Sequence, residues 1–80
     1  METASDTVQT WVWDDANEAH LYGTTMRGAA VFKSGDAWAA NVSYKGQADL
    51  LGMFDPFSTL EAAKEAALKK LDEFQQTYGP

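Results

Sequence analysis

The run Leu50 to Tyr78, LLGMFDPFSTLEAAKEAALKKLDEFQQTY, constrains the fold more than any other stretch, because it reads as a strand, a turn and a capped amphipathic helix in direct succession. Ser58 stands three positions before Glu61, the spacing of a capping box in which a hydroxyl and a carboxylate satisfy backbone donors at a helix start. Pro56 lies just outside that start. Gly79 follows Tyr78 where a left-handed residue ends a helix, and Pro80 cannot continue the hydrogen-bond ladder. The spacing predicts a helix from Thr59 to Tyr78. Leu60, Ala63, Ala67, Leu71, Phe74 and Tyr78 recur at intervals of three and four and form one apolar stripe, with Lys64, Glu65, Lys69, Asp72, Glu73 and Gln76 mostly outside it. Small Ala63 and Ala67 let the helix backbone come close to what it covers, and Leu71 and Phe74 fill space farther along.

A helix with one apolar stripe needs a surface to cover, and the preceding residues supply strands. Thr7 to Trp13 alternates Val8, Thr10 and Val12 with Gln9, Trp11 and Trp13, a period of two in residues that suit a pleated surface. Asp14 to Glu18 reads as a polar turn or a single helical turn. His20 to Thr25 is ambiguous, and Gly23 argues for a bend or bulge. Ala29 to Lys33 is a second strand, and Ser34-Gly35-Asp36 closes a hairpin onto Trp38 to Tyr44. There Trp38, Ala40, Val42 and Tyr44 share the core-facing side. Lys45-Gly46-Gln47 makes another tight turn, and Ala48 to Phe54 returns as the last strand. The expected fold is α+β, an antiparallel meander sheet of three to four strands packed under one long C-terminal helix. Residues 1–80 form one domain in this reading, with 1–6 disordered. A chain of this length supports one thin core and no deep cleft.

Composition narrows the chemistry. Twelve Asp and Glu against 6 Lys and Arg give a net charge of −6, and the residues before His20 contain no Lys or Arg. Such a balance disfavours sequence-independent binding to phosphate backbones, which needs clustered cations. The absence of Cys excludes disulfides and thiolate metal sites. METASDTVQT has neither the basic nor the apolar stretch of a signal peptide, and no apolar run approaches the ~20 residues that cross a bilayer. A soluble cytoplasmic protein without a membrane partner is expected. His20 is the sole His and is expected at the surface or a sheet edge, with no second imidazole to share a metal. Asp14 and Asp15 are neighbours, which face opposite ways on a strand and cannot share a proton. No GxSxG elbow occurs, and Gly23, Gly28 and Gly35 are too scattered to cradle a phosphate. The reading is therefore not an enzyme, with no catalytic residue, metal or cofactor. Trp11 and Trp13 share one strand face and are expected to pack under the helix, and Trp38 is expected in the core.

The segments RG, GDAWAANV, KG, LGMF and TLEAAKEAA, spread from Arg27 to Leu71, resemble the three-strand-plus-helix DNA-binding domain of plant ethylene-response factors. They are also similar to the arm-binding domains of phage tyrosine recombinases. Trp38-Ala39-Ala40, Leu51-Gly52-Met53-Phe54 and Glu61-Ala62-Ala63 carry the likeness. The resemblance implies a sheet whose exposed face lies in the major groove, with Arg, Trp and Glu on alternate strand positions reading bases. Those positions fall here on Asn41 and Ser43 of the middle strand and on Ala48 and Leu50 of the last. The Arg and Trp readers are absent, and Lys33 and Lys45 are the only basic residues left on the strands.

The functional expectation is a small acidic protein-binding or regulatory module, of the size and acidity of a phage or prophage accessory protein. It would bind a protein partner or itself through an open sheet face carrying Phe32, Asn41, Ser43 and Leu50, or through a sheet edge. One alternative is a degenerate DNA-binding domain that keeps contact through Arg27, Lys33 and Lys45. Another is an acidic cluster, Asp14, Asp15 and Glu18, that mimics a nucleic acid and occupies a partner's site.

Overall fold

The computed structural model describes residues 11–24 and 26–79. Along the chain these form β1 (Val12–Asp14), β2 (Ala19–Gly23), β3 (Arg27–Ser34), β4 (Ala37–Tyr44), β5 (Gln47–Leu51) and α1 (Leu60–Tyr78). The strands lie side by side in chain order, each antiparallel to the next, in one open sheet. The helix covers β3 and β4. This is the α+β meander under a C-terminal helix that the sequence leads one to expect.

Two strand boundaries differ from expectation. The ambiguous stretch forms β2, which makes the sheet five strands wide among the described residues rather than three to four. Its alternation is real but lies in His20 and Tyr22 against Ala19 and Leu21, and Gly23 ends the strand rather than bending its middle. The last strand stops at Leu51 rather than Phe54, because Gly52 takes a φ of 83° and turns the chain away. Met53 and Phe54 consequently lie exposed in a loop. Of the expected first strand, Val12 and Trp13 belong to β1; residues 7–10, like 1–6, lie outside the described residues.

Packing under the helix depends on small side chains. Ala63 and Ala67 are fully buried against Ala29, Val31, Ala40 and Val42. With only a methyl group on each helix position, the backbones approach closely, and larger residues seal the margin. Leu60, Leu71 and Phe74 are half-buried around this centre, while Tyr78, expected on the same stripe, is exposed. Tyr44 is the largest fully buried side chain, and its hydroxyl donates to the Gly79 carbonyl just beyond the helix.

The helix cap sits one residue later than expected. Thr59, not Ser58, is the N-cap: its backbone is extended, and its hydroxyl accepts from the Ala62 N–H at 3.1 Å. The reason lies upstream, where Phe57 is tied to Trp38 by two backbone hydrogen bonds of 2.9 and 3.0 Å. That tether holds the chain in sheet geometry through Phe57, so Ser58 serves as the bend into the cap. Glu61 remains in the first turn, where its charge complements the helix dipole, without closing a box on Ser58. Thr59→Ala is expected to cost about 1 kcal/mol and Ser58→Ala close to nothing in urea unfolding. At the other end Gly79 takes the positive φ expected of it, 83°, and its N–H donates to the Gln75 carbonyl.

Candidate functional site on the open sheet face

Antiparallel register and strand alternation fix what the uncovered face carries. Its central row runs from edge to edge as Val12, Leu21, Ala30, Asn41 and Leu50, each paired with the next. Gly23, Gly28, Ser43 and Ala48 form the row on one side, and Asp14, Ala19, Phe32 and Ala39 the row on the other. All of these alternate with residues such as Ala29, Val31, Ala40 and Val42 that meet the helix. The structure thus brings Phe32, Asn41, Ser43 and Leu50 onto one face.

The relief of that face follows from side-chain size. Val12 and Leu50 stand at the two edges, 61% and 53% exposed. Between them Ala30 and Gly28 leave a recess of about 370 Å³, bounded by Leu21, Asn41 and Ser43. Gly28 is required there, because a Cβ would lie 2.3 Å from the carbonyl oxygens of both Tyr22 and Thr24. A shallower hollow lies on the other side of Asn41, beside Ala48 and Leu50. Among the described residues, neither the Asn41 amide nor the Ser43 hydroxyl has a side-chain hydrogen bond.

Charge is nearly absent from this surface. Among the described residues Asp14 is the one ionisable group on it, and that carboxylate accepts from the Ala16 N–H and the Asn17 amide within its own turn. The other acids among the described residues lie elsewhere. Asp49 is on the helix side of β5 and pairs with Lys70 at 3.4 Å, while Glu61, Glu65, Asp72 and Glu73 are on α1.

The basic residues proposed for DNA contact do not share the face. Arg27 and Lys33 alternate to the helix side, at opposite ends of β3. The Arg27 guanidinium lies 5.3 Å from the Tyr44 ring centre, and the Lys33 ammonium 5.1 Å from that of Trp38. Lys45 sits in the β4–β5 turn with a φ of 50°, and its ammonium reaches the Tyr78 carbonyl at 3.4 Å. The three are therefore spread over both ends of the sheet. The acidic trio is likewise drawn into local structure: Asp15 accepts from the Trp13 indole N–H at 3.1 Å, and Glu18 occupies the left-handed position before β2.

One arrangement was not anticipated. His20 lies between Trp13 and Trp38 on the helix side of the sheet, with ring centres 4.9 and 6.1 Å away. Trp11 packs on Tyr22 and meets the Lys64 ammonium at 5.4 Å. Trp13 is thus half exposed beyond the helix rather than packed under it, and Trp38 is half-buried at the margin of the core. The signal was the period of two in β2, which joins β1 to the core through His20 and Tyr22.

Among the described residues no three His, Cys, Asp or Glu side chains gather where they could hold a metal ion, and no helix is long and apolar enough to cross a membrane. The fold and this surface together define an open antiparallel meander with one face covered by the helix and the other covered by no further element among the described residues, although Ala19 and Ala39 on it are buried. The chain matches no protein-family model, no curated protein and no solved structure.

Proposed function

We propose that this chain is a small, non-enzymatic protein-binding or regulatory module whose partner is engaged by the open sheet face, with Phe32, Asn41, Ser43 and Leu50 in the contact. The supporting observation is a continuous, almost uncharged surface on a chain of net charge −6, with exposed apolar side chains and unpartnered polar groups. Protein interfaces are depleted of charge at their centres, whereas a nucleic acid requires cations on the surface that meets it. The positions of Arg27, Lys33 and Lys45 give the DNA-binding alternative less support. The turn contacts of Asp14 and Asp15 do the same for nucleic-acid mimicry. A cytoplasmic setting rests on the absence of Cys and of a long apolar run, and an accessory role of the phage type on size, acidity and the resemblance noted in the sequence.

Substituting Asn41→Asp and Ser43→Asp together places two charges on the face without touching the core. The expected result is a circular dichroism spectrum like that of the parent, a stability loss of about 1 kcal/mol or less per site, and loss of the partner in a pull-down. In the parent the partner should survive nuclease and high salt. Retention of the partner by the double variant would remove the face from the contact, and recovery of salt-sensitive nucleic acid would favour the DNA-binding alternative.

A further inference from the structure

We infer that the open face, taken as the interaction surface proposed above, receives a second copy of this chain, packed sheet to sheet about a two-fold axis that runs along β4 through Asn41. The observation behind this is self-complementarity. A two-fold contact must set each feature of a surface against its own counterpart, so that a projection meets a recess and the recess meets the projection. In the central row Ala30 and Leu50 are the two partners of Asn41, one on each neighbouring strand. Rotation about β4 therefore lays the exposed Leu50 of each copy over Ala30 of the other, at the recess that Gly28 and Ala30 leave open.

Asn41 itself suits the axis. An amide carries both donor and acceptor, so two Asn41 side chains can satisfy one another, which two carboxylates or two ammonium groups cannot. The amide has no side-chain partner among the described residues, and it lies between the two hollows of the face. A single polar residue in an apolar contact also fixes register, as a buried Asn does in coiled coils.

Charge and area agree with this occupant. Two copies of net charge −6 repel one another least across a surface that is itself uncharged, and among the described residues the open face carries only Asp14, which is folded into its own turn. The acids of α1 would lie behind both sheets, farther apart than the ~8 Å over which physiological salt screens them. Overlap of β3, β4 and β5 spans roughly 14 by 20 Å, about 560 Å² of facing surface for both copies, which is the range of a weak, reversible contact rather than a permanent interface. A dimer that dissociates on dilution is the consequence.

Sedimentation velocity on the full chain across the micromolar range tests this, starting from a monomer of 8.8 kDa. The mass is expected to rise toward twice that value. Leu50→Asp should weaken association more than about tenfold with no change in circular dichroism, and Ala30→Leu should weaken it by closing the recess. Combining Ala30→Leu with Leu50→Ala exchanges projection and recess and should restore the dimer. A parent protein that stays monomeric throughout would overturn the second copy. The open-face reading would then still stand if the Asn41→Asp, Ser43→Asp variant loses its partner. A dimer indifferent to Leu50→Asp would place self-association elsewhere, at the β5 edge for instance, and overturn the second copy on this face, while the open-face reading would again rest on the Asn41→Asp, Ser43→Asp variant.

Discussion

Tyr44→Ala is expected to destabilise the protein by about 3 to 5 kcal/mol, a large part of the roughly 4 to 12 kcal/mol that a domain of this size has in total. Tyr44 is 1% exposed and is the largest side chain buried so completely. Its ring is flanked by the Arg27 guanidinium and the Lys45 ammonium at 5.3 and 5.8 Å, and its hydroxyl holds the Gly79 carbonyl across 35 residues of sequence. Truncation therefore opens a cavity at the end of β4 and frees the C-terminal end of α1 at once. Tyr44→Phe keeps the ring and removes one hydrogen bond, so it should cost about 1 kcal/mol. Urea unfolding of the two variants separates packing from hydrogen bonding. Equal losses would mean that the hydroxyl, not the ring, is the main contribution.

Gly28→Ala should be nearly as damaging, at about 3 kcal/mol or more, although it adds a single methyl group. The obstacle is backbone on both sides: the carbonyl oxygens of Tyr22 and Thr24 lie 2.3 Å from the added carbon, and Gly28 pairs with Gly23 in the β2–β3 ladder. Side-chain rearrangement cannot relieve such a contact, so the hairpin must open. Gly46→Ala provides the comparison. Nothing lies within 4 Å of its added Cβ, and only the positive φ of 86° opposes it, a penalty of about 1 kcal/mol. Similar losses at the two positions in thermal unfolding would show that crowding at Gly28 is not the cause.

The sequence makes the helix, its C-terminal stop and the core faces of β3 and β4 legible because each depends on a local period. Ala63 and Ala67, with Ala40 and Val42 facing them, follow directly from spacing. The errors arise where a tertiary contact decides. By residue type Ser58 is the better cap, and the Phe57–Trp38 hydrogen bonds override that preference in favour of Thr59. In β2, His20 and Tyr22 conceal a strand from a hydrophobicity pattern, because their rings are half-buried by tilted contacts with Trp13, Trp38 and Trp11 rather than by aliphatic packing. The grouping of Phe32, Asn41, Ser43 and Leu50 was readable from alternation alone. The recess beside them was not, since it depends on how closely the Tyr22 and Thr24 carbonyls approach Gly28. Likewise alternation puts Arg27 and Lys33 on the helix side of β3, but their placement beside the Tyr44 and Trp38 rings is read only from the structure.

Strand order equal to chain order also governs how the molecule reaches its native state. Every ladder among the described strands joins neighbours in sequence, so each of these hairpins can close without first bringing distant parts of the chain together. Such local closure is the condition for rapid folding. The helix is the exception, because β3 and β4 must already lie side by side before Ala63 and Ala67 have a surface to meet. Substitutions at those two alanines should therefore act chiefly on the unfolding rate, while changes in the β3–β4 ladder slow folding itself.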